Sequence, residues 1–158
     1  MIQHFLYQND DIYLPMYLRS GNKSDYLRAP LNAFWQGRLR SYDAMVGTIA
    51  DRFHAAGVPM ALVFVPQRAQ AGLAAKVDPP TGIHPLLVNQ VLRSIADKHG
   101  IAFIDATTSI ARSKRVGDNY YPIDGHLNGQ GHAVVASAIV DGLIADLPLF
   151  QGCAAHKL

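Results

Sequence analysis

Two short apolar runs, set among stretches of helical period, constrain this chain more than anything else in it. Met60, Ala61, Leu62, Val63, Phe64 and Val65 follow one another without a polar interruption until Pro66. A strand with one wet face would alternate, so an unbroken run points to a strand covered on both faces, as in a parallel sheet. Ile101, Ala102, Phe103 and Ile104 repeat the pattern ahead of Asp105. Before the first run, Trp35, Leu39, Tyr42, Val46, Ile49 and Phe53 are spaced by fours and threes, which predicts one helical face ended by Gly57. Between the runs, a loop through residues 78–82 leads to a second helix from about Pro85. Leu86, Leu87, Val91, Leu92 and Ile95 are its inward side and Gly100 its stop.

The ends of the chain extend this alternation. Residues 2–7 are rich in β-branched and aromatic side chains and give way to Gln8, Asn9, Asp10 and Asp11, which predicts a strand running into a loop. Residues 12–30 carry Pro15, Gly21 and Pro30 with no clean period and are predicted to be an irregular connection containing a helical turn. After Asp105, a short helix is predicted over 109–113 and a turn over 117–119. A last helix follows through 133–147, capped by Asn128. Strands alternating with helices imply an α/β fold, a three-layer α/β/α arrangement around a small parallel sheet of flavodoxin-like type. The chain is 158 residues long and 49% hydrophobic, which fits one domain, expected over 1–150 with 151–158 as a tail.

Composition excludes several classes. The net charge is only +2, and the densest basic run is four residues, Arg112 to Arg115 with Ser113 inside it. It reads as a solvated helix end, and no nucleic-acid partner is expected. No apolar stretch approaches about 18 residues, so no membrane span is expected. The N-terminus shows no basic leader or signal-peptide pattern. A lone cysteine, Cys153, forms no internal disulfide and leaves the compartment undetermined.

The stretch that carries chemistry runs from Tyr120 to His132: Tyr-Tyr-Pro-Ile-Asp-Gly-His-Leu-Asn-Gly-Gln-Gly-His. In an extended turn, residues two apart point to the same side. Asp124 can therefore hold one ring nitrogen of His126 while the other faces a cleft, which makes an acid–base pair. In open parallel sheets the ligand crevice lies beyond the carboxyl ends of the strands. Asn9 and Asp10, Gln67 and Arg68, and Asp105 and Thr107 are the polar residues expected at those ends, on the same rim as Asp124 and His126.

These blocks resemble the SGNH hydrolases, the GDSL-type esterases and acyltransferases. Asn9-Asp10 after residues 5–8 is similar to their Asn block, and residues 124–132 are similar to their Asp/His block, especially in relatives acting on acylated carbohydrates and cell-surface polymers. By position, the resemblance implies Asp124 as orienting acid, His126 as general base and Asn9 as oxyanion donor. It implies no cofactor and no metal, and a small-molecule or carbohydrate acyl ester as substrate. The blocks bearing the nucleophilic Ser and the oxyanion Gly have no counterpart, since no Gly-Asp-Ser occurs. The chain thus looks like the C-terminal two-thirds of the domain, incomplete at the N-terminus by one or two βαβ units of about 30 residues each. An acyl transfer without its serine is expected to be inactive. The edge left unpaired at residues 2–7 is expected to associate, most simply as a homodimer.

Other readings stay open at this point. Asp124 can merely satisfy backbone amides in a turn, and His132 reads as a structural residue beside Gly129 and Gly131. A zinc site from Asp124, His126 and His132 lacks supporting ligands. Ser24, Ser41, Ser94, Ser109 and Ser137 read as surface or helix residues rather than as a displaced nucleophile. A non-catalytic binding or assembly module derived from the same fold is the alternative function.

Overall fold

The computed structural model describes residues 6–147. Two parallel strands, β1 (Ala61–Phe64) and β2 (Ala102–Asp105), form the sheet, with Ala61 in register with Ala102 and Phe64 with Asp105. Both apolar runs are therefore strands, the first shorter by one residue at each end and the second shifted by one residue relative to the reading from sequence. The helices are α1 (Asp10–Leu18), α2 (Ala33–Ala55), α3 (Arg68–Ala74), α4 (Leu87–Lys98), α5 (Thr107–Ala111) and α6 (Gly129–Asp146), joined in part by 3-10 turns at Gly21–Leu27 and Val116–Asn119.

The side chains of β2 alternate as a buried strand requires. Phe103 packs with Val46 and Ala50 of α2 and with Ile95 and Ala96 of α4. Ile104 points to the opposite layer, where a Cβ on Gly142 of α6 would lie 2.8 Å from its side chain. Helices thus cover both sides of the sheet, the α/β/α layering expected. A second cluster of Leu14, Tyr26, Leu27, Leu73 and Val88 closes the end of the sheet where β1 terminates. A third, around Ala106, Ile110, Tyr120 and Val135, seats the 116–127 segment against α6. No helix among the described residues is long and apolar enough to cross a membrane.

Several expectations need correction. The strand over residues 2–7 falls mostly outside the described residues, and Leu6 and Tyr7, which are described, are helical. The edge expected to carry a homodimer therefore loses its extended geometry at those two positions. Asp10 and Asp11, expected in a loop, and residues 12–18, expected to be irregular, together form α1, with Pro15 inside it; Asn9 caps it by accepting from the Asp11 amide at 3.1 Å, and Asp10 and Asp11 complement its first turn. Helix α3 occupies a stretch to which the sequence pattern assigns no element. It is seven residues long and buried along nearly its whole length, its two polar side chains, Arg68 and Gln70, included, so it has no solvated face for periodicity to reveal. In α4, Val88, Asn89, Ile95 and Ala96 are buried and Val91 and Leu92 pack against the core as expected, while Leu86, just before the helix, is exposed.

Candidate active site

The Asp124–His126 turn is built from the backbone upward. Tyr120 and Leu127 form an antiparallel bridge, and the Tyr121 amide donates to the His126 carbonyl at 2.7 Å. The Gly125 amide returns to the Tyr121 carbonyl at 3.2 Å, and Gly125 sits at φ +74°, where a side chain would be strained. Two anchors fix this hairpin. The buried Tyr120 hydroxyl donates to the Pro66 carbonyl at 3.0 Å, which ties the turn to the end of β1. Burial raises the Tyr120 phenol well above its ordinary value, so the hydroxyl stays a donor. On the other side Asn128 caps α6, accepting from the Gly131 amide at 3.0 Å while its own amide donates to the Asp118 carbonyl at 2.8 Å.

Within the turn the two chemical groups meet as the spacing requires. Asp124 Oδ1 accepts from the His126 amide at 3.0 Å, and Oδ2 lies 3.2 Å from Nδ1 of the ring. The backbone amide, then the ring, hold the Asp124 carboxyl below its ordinary value. With Nδ1 turned to the carboxylate, Nε2 is the nitrogen left to act as a base. The side chains of His126 and Asp124 are 82% and 55% exposed, so this contact orients the ring rather than stabilising the fold.

The pair lines a cleft of about 650 Å³ together with Tyr13, Tyr17, Gln67 and Arg68. Gln67 and Arg68 come after β1 with only Val65 and Pro66 between, so the rim expected from the topology exists at this strand. The Gln67 Oε1 accepts from the hydroxyls of Tyr17 at 2.8 Å and Tyr26 at 3.4 Å, which leaves its amide N–H groups as donors. Arg68 is buried, ion-paired to Asp10 at 2.8 Å.

Three of the expected contributors lie elsewhere. Asn9 is taken up by the cap of α1 and is not among the residues lining the cleft; its neighbour Asp10 reaches the site only through Arg68. Asp105 and Thr107 join a polar network with Asn89 and Gln70 instead. Asn89 donates to Asp105 at 2.7 Å and to Thr107 at 2.8 Å.

One serine outside the set weighed from sequence does line the cleft. Ser20 stands immediately before the 3-10 turn and donates its hydroxyl to the Tyr17 carbonyl at 2.6 Å. Its position before Gly21 was the only local signal. Ser24, by contrast, is fully buried and donates to the Leu18 carbonyl. His132 is exposed at the start of α6. Among the described residues, no group of three or more His, Cys, Asp or Glu is placed to hold a metal ion.

The comparisons with known proteins agree with this architecture. Residues 26–158 match the family model described as SGNH hydrolase-like domain, acetyltransferase AlgX. No curated protein and no solved structure matches the chain. The family match spans α2 to α6, both strands and the Asp124–His126 turn, and on that extent the chain belongs to the AlgX-type SGNH hydrolase-like domain family.

Proposed function

We propose that the cleft is the acid–base half of an acyl-transfer centre, in a domain that hydrolyses or transfers an O-acyl ester of a carbohydrate. The observation that carries the reading is the Asp124 Oδ2 to His126 Nδ1 contact at 3.2 Å, which leaves Nε2 free at a concave site. In such a centre the base takes the proton of an attacking hydroxyl. The oxygen then adds to the acyl carbonyl, and the proton passes to the departing alcohol as the tetrahedral intermediate collapses. The free amide donors of Gln67 suit the developing oxyanion, a part the resemblance had given to Asn9.

Support for a sugar comes from the neighbouring cavity of about 990 Å³, which shares Tyr17, Lys23 and Gln67 with the cleft. Trp35, Tyr26 and Tyr42 line it and offer the flat faces and phenolic hydroxyls that sugar rings pack on and bond to.

The nucleophile is the missing part. Ser20 is the serine lining the cleft among the described residues, and its hydroxyl bonds to Tyr17 rather than to His126. Turnover of p-nitrophenyl acetate by this chain is therefore expected roughly 10⁵- to 10⁶-fold below that of a complete triad. His126→Ala should remove the part of what remains in which the imidazole acts as base on water, and a fluorophosphonate should label no serine. Hydrolysis that ignores the His126 change would remove the reading; a labelled Ser20 would instead supply its nucleophile. The exposure of His126 favours a second reading, a non-catalytic binding or assembly module, because a water-filled site weakens every electrostatic contribution to an acyl transfer. That reading is distinguished by complete absence of His126-dependent turnover.

A further inference from the structure

The cavity of about 990 Å³ beside the cleft carries two side-chain amides on its wall, Gln67 and Gln70, and their hydrogen bonds leave opposite ends of them free. Gln67 stands just before α3 and Gln70 in its first turn, so a spacing of three brings both to one side of the helix. At Gln67 the oxygen is taken: Oε1 accepts from the hydroxyls of Tyr17 at 2.8 Å and Tyr26 at 3.4 Å. Burial raises the Tyr26 phenol far above its ordinary value, which keeps that hydroxyl a donor. The N–H groups of Gln67 are therefore the part left to a ligand.

Gln70 is the reverse. Both of its N–H groups are spent, on the Pro85 carbonyl at 2.9 Å and on Asn89 Oδ1 at 2.7 Å, and its Oε1 receives no hydrogen bond among the described residues. The residue is 1% exposed, yet Oε1 is not sealed in as Arg68 Nη1 and Asn119 Oδ1 are. The surface it keeps opens on the cavity that Gln70 lines. A nearly buried acceptor without a donor costs free energy until a ligand or water supplies one.

The rest of the wall narrows the ligand. A donor and an acceptor side by side match the C=O and N–H of a secondary amide. Leu39, Phe64, Val88 and Leu92 offer an apolar surface to a small group attached to that amide, and Tyr26 and Trp35, with ring centres 5.6 Å apart, offer flat faces to a sugar ring. Lys23 and Arg38 are the charged residues on this wall, with no Asp or Glu among the described lining residues, which disfavours an ammonium group.

We infer that this cavity recognises an N-acetylated amino sugar, whose acetamido N–H donates to Gln70 Oε1, whose acetamido carbonyl accepts from Gln67 and whose methyl meets the apolar wall. Identifying that sugar with the carbohydrate that bears the ester rests on the acyl-transfer reading above; the binding site itself does not.

The test titrates the full chain with N-acetylglucosamine, and with glucose, glucosamine and N-methylacetamide as controls. The readouts are the side-chain amide resonances of Gln67 and Gln70 and the fluorescence of Trp35, the single tryptophan. N-acetylglucosamine is expected to saturate with a dissociation constant on the order of 1 mM. Each control lacks the amide or the ring and should bind about tenfold or more weakly. Gln67→Glu keeps an acceptor for the two hydroxyls but has no N–H, and should reduce N-acetylglucosamine binding to the level of glucose. If N-acetylglucosamine binds as expected while hydrolysis proves independent of His126, the acyl-transfer reading fails and the sugar site stands. Glucose binding as tightly as N-acetylglucosamine, N-methylacetamide doing so without any ring, or N-acetylglucosamine moving none of these signals overturns the inference; because the parent protein is read directly, no variant has to fold for that result to count.

Discussion

Gly131→Ala is expected to destabilise the protein by about 3 kcal/mol, and the Asp124–His126 turn should be lost before the rest of the fold. A Cβ at this position would lie 2.1 Å from the Asn119 backbone oxygen and 2.7 Å from Leu127 Cδ2. The oxygen cannot yield, because the same carbonyl accepts the Asn128 amide at 3.0 Å and Asn119 is fully buried. Moving α6 away instead would break the Asn128 cap and the bridge between Tyr120 and Leu127 that shapes the turn. The neighbouring Gly129 is the internal control. A Cβ there meets nothing within 4 Å, so Gly129→Ala should fall within about 1 kcal/mol of the parent. Urea unfolding of both variants checks the pair, and equal midpoints would show that the close approach of α6 to Asn119 is not present in solution.

Asn89→Ala should cost about 2–4 kcal/mol, although Asn89 lies in α4 and is not among the residues lining the cleft. Its side chain is 4% exposed and makes three hydrogen bonds: it accepts from Gln70 at 2.7 Å and donates to Asp105 and Thr107. Truncation leaves the Asp105 Oδ2 and the Thr107 hydroxyl facing an apolar methyl. Gln70 keeps its bond to the Pro85 carbonyl at 2.9 Å and Asp105 keeps the Thr107 amide at 2.8 Å, so the loss is partial. Asn89→Asp is the sharper variant, since it sets a second carboxylate against Asp105 and should destabilise further as pH rises through the carboxylate range. A urea midpoint for Asn89→Ala equal to the parent's would show that this network contributes nothing net.

How much of this was readable beforehand follows from where the signals reside. Strands β1 and β2 and helix α2 announced themselves because long apolar patterns are local. The Asn128 cap and the Asp124–His126 contact were equally legible, since each spans two or three residues of chain. Asn9, Asp10 and Asp11 carried a helix-start signature that was read as the end of a strand, because Pro15 argued against a helix beyond them. Helix α3 was invisible for the opposite reason: burial on nearly every side removes the polar face that marks a helix. The roles of Arg68 and Ser20 are tertiary facts. Nothing next to Arg68 in the sequence predicts that Asp10 and Tyr13, 58 and 55 positions away, will enclose it. Asp105 and Thr107 were rightly placed at a strand end, yet the partners that draw them into a structural network come from α3 and α4.

The functional reading depends on Asp124 fixing which nitrogen of His126 is exposed. The most direct measurement is a long-range ¹H–¹⁵N spectrum of the neutral imidazole in the parent and in Asp124→Ala. In the parent, Nδ1 is expected to carry the proton and Nε2 to show the shift of an unprotonated, base-ready nitrogen, with the alanine variant reverting toward the Nε2–H form that free imidazoles favour. A parent spectrum with the proton on Nε2, unchanged by removal of Asp124, would contradict the pairing and with it the acyl-transfer reading.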